Sequence, residues 1–260
     1  MDIDINKLLE GKATKIKNDS YLATKDYVSP FLDRLSHFTN DFRVKVELPK
    51  QVTLDKNGEL DTADITYNRV WIQGVLPDEY AFTGHQRVLG MVYGLDVRKP
   101  VCKIYTGALN MACTNLCIFN PDAMVLQDIV PDKPLNFKCV SDLMGQVDTI
   151  KVNLQKMIDQ SIDNSPEVIN ECLGRWIKNS IHESYDNGYS KVKLAASAVI
   201  DAYKLLFEKE DSPYYTPGDV PMFTVYNAFT QILTNGLAKD SFNYVEKTLL
   251  LTNILELGTV

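Results

Sequence analysis

Metal binding and nucleophilic catalysis would fall first to the five cysteines and three histidines of this 260-residue chain. The pair Cys113-x-x-x-Cys117 invites a metal reading, but no second pair stands at zinc-finger spacing. His37, His85 and His182 are scattered. The cysteines therefore read as small buried apolar residues, the usual state of a free thiol, and no metal is expected. A cysteine nucleophile needs a histidine base and an orienting group. His85 and His182 are available as bases, yet nothing in the sequence pairs them with a thiol. G-x-x-x-x-G-K-[ST], G-x-G-x-x-G, G-x-S-x-G and H-E-x-x-H are all missing. Carboxylates are plentiful, but on an acidic helical half they make a solvated face. The chain reads more as a non-enzymatic protein than as an enzyme, with no catalytic residue and no cofactor expected.

Binding chemistry has more to work with. Arg43, Lys45, Arg69, Arg87, Arg98, Lys99 and Lys103 lie on or beside extended segments, interleaved with Tyr67, Trp71, Tyr93 and Tyr105. Cations beside aromatic faces on a sheet are the parts of a single-strand platform, where bases stack and phosphates pair. The candidate nucleic-acid-binding residues are thus Arg43, Lys45, Arg69, Trp71, Arg87, Arg98, Lys99 and Lys103. The plain alternative is that strands carry aromatics for packing and cations for solubility. Tyr214 and Tyr215, in a loop with three prolines (Asp211 to Pro221), are candidates for a protein partner.

Composition bounds these readings. Apolar residues make up 45% and charged residues 23%, ordinary for a soluble globular protein. Met1 to Lys138 carries net −1, and the remainder −6. An acidic protein is a poor general binder of phosphate backbones, so a nucleic-acid groove is expected in the first half. An odd number of irregularly spaced cysteines argues against a disulfide framework. No apolar run is long enough for a transmembrane helix, and the acidic start Met1-Asp-Ile-Asp-Ile-Asn does not look like a signal peptide. A reducing intracellular compartment and no membrane association follow as expectations.

The elements that must position these residues change character along the chain. Residues 1–28 read as a lysine-rich arm, 29–138 as a β-rich region and 139–260 as a helical region integrated with it. Ser29-Pro30 resembles a helix start, with proline at the first helical position. Phe42, Val44, Val46 and Leu48 alternate with polar residues, a half-buried strand. Further strands are expected over Ile65–Leu76, over Leu89–Val97 with Gly90 and Gly94 on the face opposite the apolar residues, and over Val101–Tyr105 with a break at Gly107. Their short connections imply antiparallel pairing. From Val140 the period becomes helical. Leu143, Val147, Ile150, Leu154 and Met157 form one seam, and four more helices follow: one capped by Ser165-Pro166, one from Ser190, Phe223–Thr234 stopped by Gly236, and Ser241–Leu257. The fold class expected is α+β, an antiparallel sheet packed with a mostly helical C-terminal half. Asn115 and Asn227, in apolar surroundings, are expected to be structural, hydrogen-bonded amides.

Two short segments carry a family resemblance. Ala112-Cys-Thr-Asn115 resembles the strand-linked V-C-x-N centre of a phage/plasmid-like family of unknown function. Asn227-Ala-Phe-Thr230 is similar to that family's N-A-x-T helix core, with Tyr226 near the position of the family's tryptophan. The likeness covers about residues 80–257. It implies a phage or other mobile-element origin and a bacterial host cytoplasm, and it carries over no catalytic residue. The function expected is a non-enzymatic accessory protein that binds single-stranded nucleic acid, assisting annealing or recombination. The alternative is a protein-interaction role, as a virion component or an antagonist of a host defence protein. A homo-oligomer is expected, pairing through a sheet edge or the Leu143–Met157 seam.

Overall fold

The computed structural model describes residues 14–16, 19–22, 24–47, 69–77, 84–94, 101–110, 116–118, 121–186, 191–240 and 243–257. In chain order the elements are β1 (Thr14–Ile16), β2 (Asp19–Tyr21), α1 (Thr24–Ser36), β3 (Phe42–Glu47), β4 (Arg69–Val75), β5 (His85–Gly94), β6 (Val101–Asn110), β7 (Leu116–Cys117) and β8 (Met124–Gln127). There follow α2 (Cys139–Gly145), α3 (Val147–Asp159), β9 (Ser161–Ile162), α4 (Pro166–His182), β10 (Tyr185–Asp186), β11 (Lys191–Val192), α5 (Ala196–Phe207), β12 (Val220–Pro221), α6 (Met222–Asp240) and α7 (Tyr244–Ile254). The class is α+β, with an antiparallel sheet in the first half and helices in the C-terminal half. Two compact units interleave in sequence: residues 1–81, 86–106 and 124–145 form the first, and 82–85, 107–123 and 146–260 the second.

In the first unit β3, β4, β5, β6 and β8 lie side by side. Strand alternation sends Val70 and Ile72 of β4, Leu89, Met91 and Tyr93 of β5, and Cys102 and Ile104 of β6 to one face. They share a core there with Tyr27, Val28, Phe31 and Leu35 of α1 and Val140 and Leu143 of α2. Tyr27 stacks on Tyr93 at 5.4 Å between ring centroids, and Phe31 meets Phe137 at 5.7 Å. Burying each such side chain contributes about 1.5–3 kcal/mol. Gly74 lets α1 approach, because a Cβ there would stand 2.6 Å from Leu35 Cδ1. On the opposite face Gly90 does the same for a ring: a Cβ built on it would overlap Tyr105, whose hydroxyl donates to Gln73 Oε1 at 3.3 Å.

Several boundaries differ from the sequence reading. Helix α1 starts at Thr24, so Pro30 is inside it and not at its first position. The buried contacts of Tyr27 and Val28 hold the extra turn despite the missing N–H donor. Strand β6 runs straight through Gly107. A side chain at 107 would stand 2.6 Å from the Cys117 carbonyl, so this glycine serves a close approach of backbones, not a break. The Leu143–Met157 seam is interrupted at Gln146: Leu143 belongs to α2 in the first unit, and Ile150, Leu154 and Met157 to α3 in the second. Leu143, Ile150, Leu154 and Met157 are buried within the chain, and Val147 is half-buried. Residues Lys191–Val192 pair with Tyr185–Asp186 as a two-residue hairpin, which delays α5 to Ala196. Helix α6 passes Gly236 and ends at Asp240.

In the second unit α6 packs against α3, α5 and α7. Val225, Tyr226, Phe229 and Leu233 form its buried stripe, and Trp176 of α4 meets Phe229 edge-on at 5.6 Å. The β9–β12 pair sets the entry to this helix: Val220 stands opposite Ile162, and the Met222 N–H donates to the Gln160 carbonyl at 2.8 Å.

Candidate functional site

Helix α6 carries a second stripe beside its buried one. Phe223, Asn227, Gln231 and Asn235 recur every four residues, which places them above one another on one face. This stripe forms one wall of a cleft of about 670 Å³ in the second unit. Asn110 at the end of β6, Leu205 of α5 and Lys209, Pro213 and Tyr214 of the following loop complete the lining with Thr224 and Ile232.

The amides are joined into two hydrogen-bonded sets. At the buried end Asn110 Nδ2 donates to Asn227 Oδ1 at 3.3 Å, and Asn227 Nδ2 donates to the Phe223 carbonyl at 2.9 Å. Nearer the opening the Tyr214 hydroxyl donates to Gln231 Oε1 at 3.2 Å, and Gln231 Nε2 donates to Asn235 Oδ1 at 2.9 Å. Tyr226 fixes the frame of this arrangement. Its hydroxyl accepts from the Ile118 N–H at 3.2 Å and donates to the Ile118 carbonyl at 3.1 Å, tying the segment after β7 to α6. Burial, reinforced by nearby Cys117, pushes the Tyr226 phenol well above its usual range, so it keeps the proton it donates. Behind the wall, the His85 ring meets Phe223 edge-on at 5.1 Å. The loop is shaped by tight turns, with the Tyr214 N–H on Ser212 Oγ and the Tyr215 N–H on the Ser212 carbonyl.

Chemically the cleft is lined mainly by amides and aromatic residues. Its described lining has no histidine, cysteine or carboxylate, and Lys209 is its one formal charge. Amides present donors and acceptors in fixed planes, which suits reading the edge of a planar polar molecule. A smaller cavity of about 480 Å³ beside α1 includes Asp33, Arg34 and His37, but His37 Nδ1 is engaged at 2.7 Å by the Asp33 carbonyl of the helix that it follows. Among the described residues no group of three or more metal-ligating side chains converges, and no helix is long and apolar enough to cross a membrane.

The residues singled out on the sheet do not come together as an open platform. Arg87 is fully buried and points to the helix-covered face, where Nη2 donates to the Leu143 carbonyl of α2 at 2.6 Å and Nε donates to Thr106 Oγ1 at 3.3 Å. It is a charge placed against the carbonyl end of a helix, where the dipole favours a cation. Lys103 and Trp71 are on the other face, and they too are buried, at 0% and 8% exposure. Arg43, opposite Gln73 on the edge strand β3, is exposed. Lys45 and Arg69 pair with Trp71 and Glu47 along the backbone, but their side chains are outside the described set. Arg98 and Lys99 lie outside the described residues altogether, as do Cys113 and Asn115. Of the loop tyrosines, Tyr214 is buried in the cleft wall, and Tyr215 is half-buried beside a separate cavity of about 240 Å³.

Asn227 is a hydrogen-bonded buried amide, as its apolar neighbours imply, and it also faces the cleft. Asn110, Lys209, Phe223, Gln231 and Asn235 were not singled out by the sequence. The four-residue repeat of Phe223, Asn227, Gln231 and Asn235 was the one signal present. No protein-family model, curated protein or solved structure matches this chain.

Proposed function

We propose that the chain is a non-enzymatic binding protein that holds single-stranded nucleic acid one nucleotide at a time in the amide-lined cleft of its second unit. The observation that carries this reading is the convergence of Asn110, Asn227, Gln231 and Asn235 on one cavity with aromatic residues and a single lysine. Amide side chains recognise base edges by paired donors and acceptors. Unstacked bases of a single strand expose those edges and lie against aromatic rings, here Phe223 and Tyr214. The volume falls in the range of about 300–1,000 Å³ typical of clefts that enclose one small ligand, which suits a nucleotide and not a run of them. The accessory role in a phage or other mobile element, within a bacterial host, belongs to the same proposal and is supported by the motif resemblance alone.

Fluorescence anisotropy with a labelled single-stranded DNA oligonucleotide tests the reading. Gln231→Leu is expected to weaken binding, and Arg43→Ser to leave it unchanged. If Arg43→Ser abolishes binding while Gln231→Leu binds normally, the ligand sits on the sheet edge and the cleft reading falls.

A further inference from the structure

The hydrogen bonds along the cleft wall run in one direction. The Tyr214 O–H donates to the Gln231 carbonyl, and the Gln231 amide donates to the Asn235 carbonyl. Each donation polarises the next amide, so a chain of this kind ends in a strengthened donor. That end is the Asn235 NH₂, which among the described residues has no acceptor and stands at the exposed end of the stripe. Lys209 lines the same cleft, is exposed, and makes no ion pair among the described residues. Its own backbone is fixed, with its N–H on the Lys204 carbonyl at 3.0 Å and its carbonyl accepting from the Ser212 N–H at 2.9 Å. The described lining of the cleft thus has two sources of donors at its exposed end and no carboxylate.

We infer that the mouth of the cleft, at Lys209 and Asn235, is an anion subsite that takes one phosphate group of a bound nucleotide, while the amide stripe and Phe223 hold its base. This rests on the cleft reading above and adds a limit to it. One cation can neutralise one phosphate, so binding should have a single-phosphate footprint. The slope of log affinity against log salt is then about −0.7, the value for one contact on a single strand, whereas a basic track gives a multiple of it. A nucleoside monophosphate should consequently occupy the site about as well as a strand does.

The test is calorimetric titration of the full chain with the four deoxynucleoside monophosphates, the matching nucleosides, inorganic phosphate and a single-stranded DNA oligonucleotide over a range of salt. At least one monophosphate is expected to bind roughly five-fold tighter than its nucleoside, the size of an exposed charge contact. Lys209→Met should bring the monophosphate down to the nucleoside's affinity, and Lys209→Arg should restore it. Thermal melting of Lys209→Met shows whether the variant is folded, and Asn235→Leu, at an exposed position, is the second probe of the same subsite. Equal affinity for nucleoside and monophosphate, both lost in Gln231→Leu, overturns the phosphate subsite and leaves the cleft reading standing. A steep salt slope for the oligonucleotide with no mononucleotide binding also overturns it, since several phosphates are then engaged. Absence of binding by every probe overturns both readings, and binding of inorganic phosphate alone would make the mouth an unselective anion site and overturn the nucleotide assignment.

Discussion

The interior of the first unit and the cleft of the second both contain a concentration of polar side chains, but they use them in opposite ways. Arg87, Thr106, Gln73 and Tyr105 have little or no exposure and spend their hydrogen bonds on one another, on Val88 and on the Leu143 carbonyl. Gln231, Asn235 and Lys209 border open space, and the chain of bonds from Tyr214 through Gln231 to Asn235 terminates at the opening. A closed polar network stabilises and specifies a core, whereas an open one has donors left for a ligand. The difference teaches that residue type alone does not mark a binding site. Arginine on a strand was the more suggestive sequence feature, and asparagine on a helix proved to be where the cavity is.

Alkaline titration should have the largest effect, and it should act on both regions at once. Burial raises Tyr93 and Cys102 in the first unit and Tyr226 and Tyr244 in the second. A raised folded pKa means that the folded state retains its proton longer than the unfolded one. Stability is therefore complete below the ordinary values of 9.0 and 10.0 and falls as pH rises above them. Each group contributes a loss of about 1.4 kcal/mol per pH unit across its window. Denaturant midpoints measured between neutral and strongly alkaline pH should fall steeply, and a flat profile would mean these groups are hydrated.

Next in size is Arg87→Met, which leaves the Leu143 carbonyl and Thr106 without their charged donor. A loss of about 3 kcal/mol is expected, read from the urea midpoint, with oligonucleotide affinity of the folded variant unchanged. Reduced affinity in a fully folded Arg87→Met protein would break the comparison, since a sealed network would then be serving the ligand. Gly90→Val should cost on the order of 2 kcal/mol through overpacking against Tyr105. Pairing it with Tyr105→Leu in a double-mutant cycle should recover part of that loss, and strict additivity would show that the two do not compete for the same space. The smallest stability change is expected for Gln231→Leu, about 1 kcal/mol, from two lost hydrogen bonds that are exposed or only partly buried. Its large effect should instead be on binding.

The strand pattern was legible where alternation is enforced by a covered face. Leu89, Met91 and Tyr93 are all fully buried, with Gly90 opposite, as their spacing required. Phe42 shows the limit of the same rule: on the edge strand β3 it remains 39% exposed, because nothing in the alternation says that a strand is at an edge. Arg87 looked like a surface cation because its principal acceptor is 56 residues away, on a helix whose end no local pattern announces. The cleft was hidden for a similar reason, since Asn110 and Asn227 meet across 117 residues of sequence. Gly107 and Gly236 were read as stops. The first is in a strand that another backbone approaches closely, and the second is inside helix α6, which runs on to Asp240.

The contact between Gly90 and Tyr105 also governs how this chain can change over generations. A side chain at 90 and an aromatic ring at 105 compete for one volume, so neither position can drift alone. A lineage that gains an alanine or valine at 90 must already have a smaller residue at 105, or acquire one together with it. Lineages that keep the tyrosine must keep the glycine. A glycine in one strand matched to an aromatic residue in the next, at this register, is therefore the mark by which distant descendants of the same ancestor could be recognised.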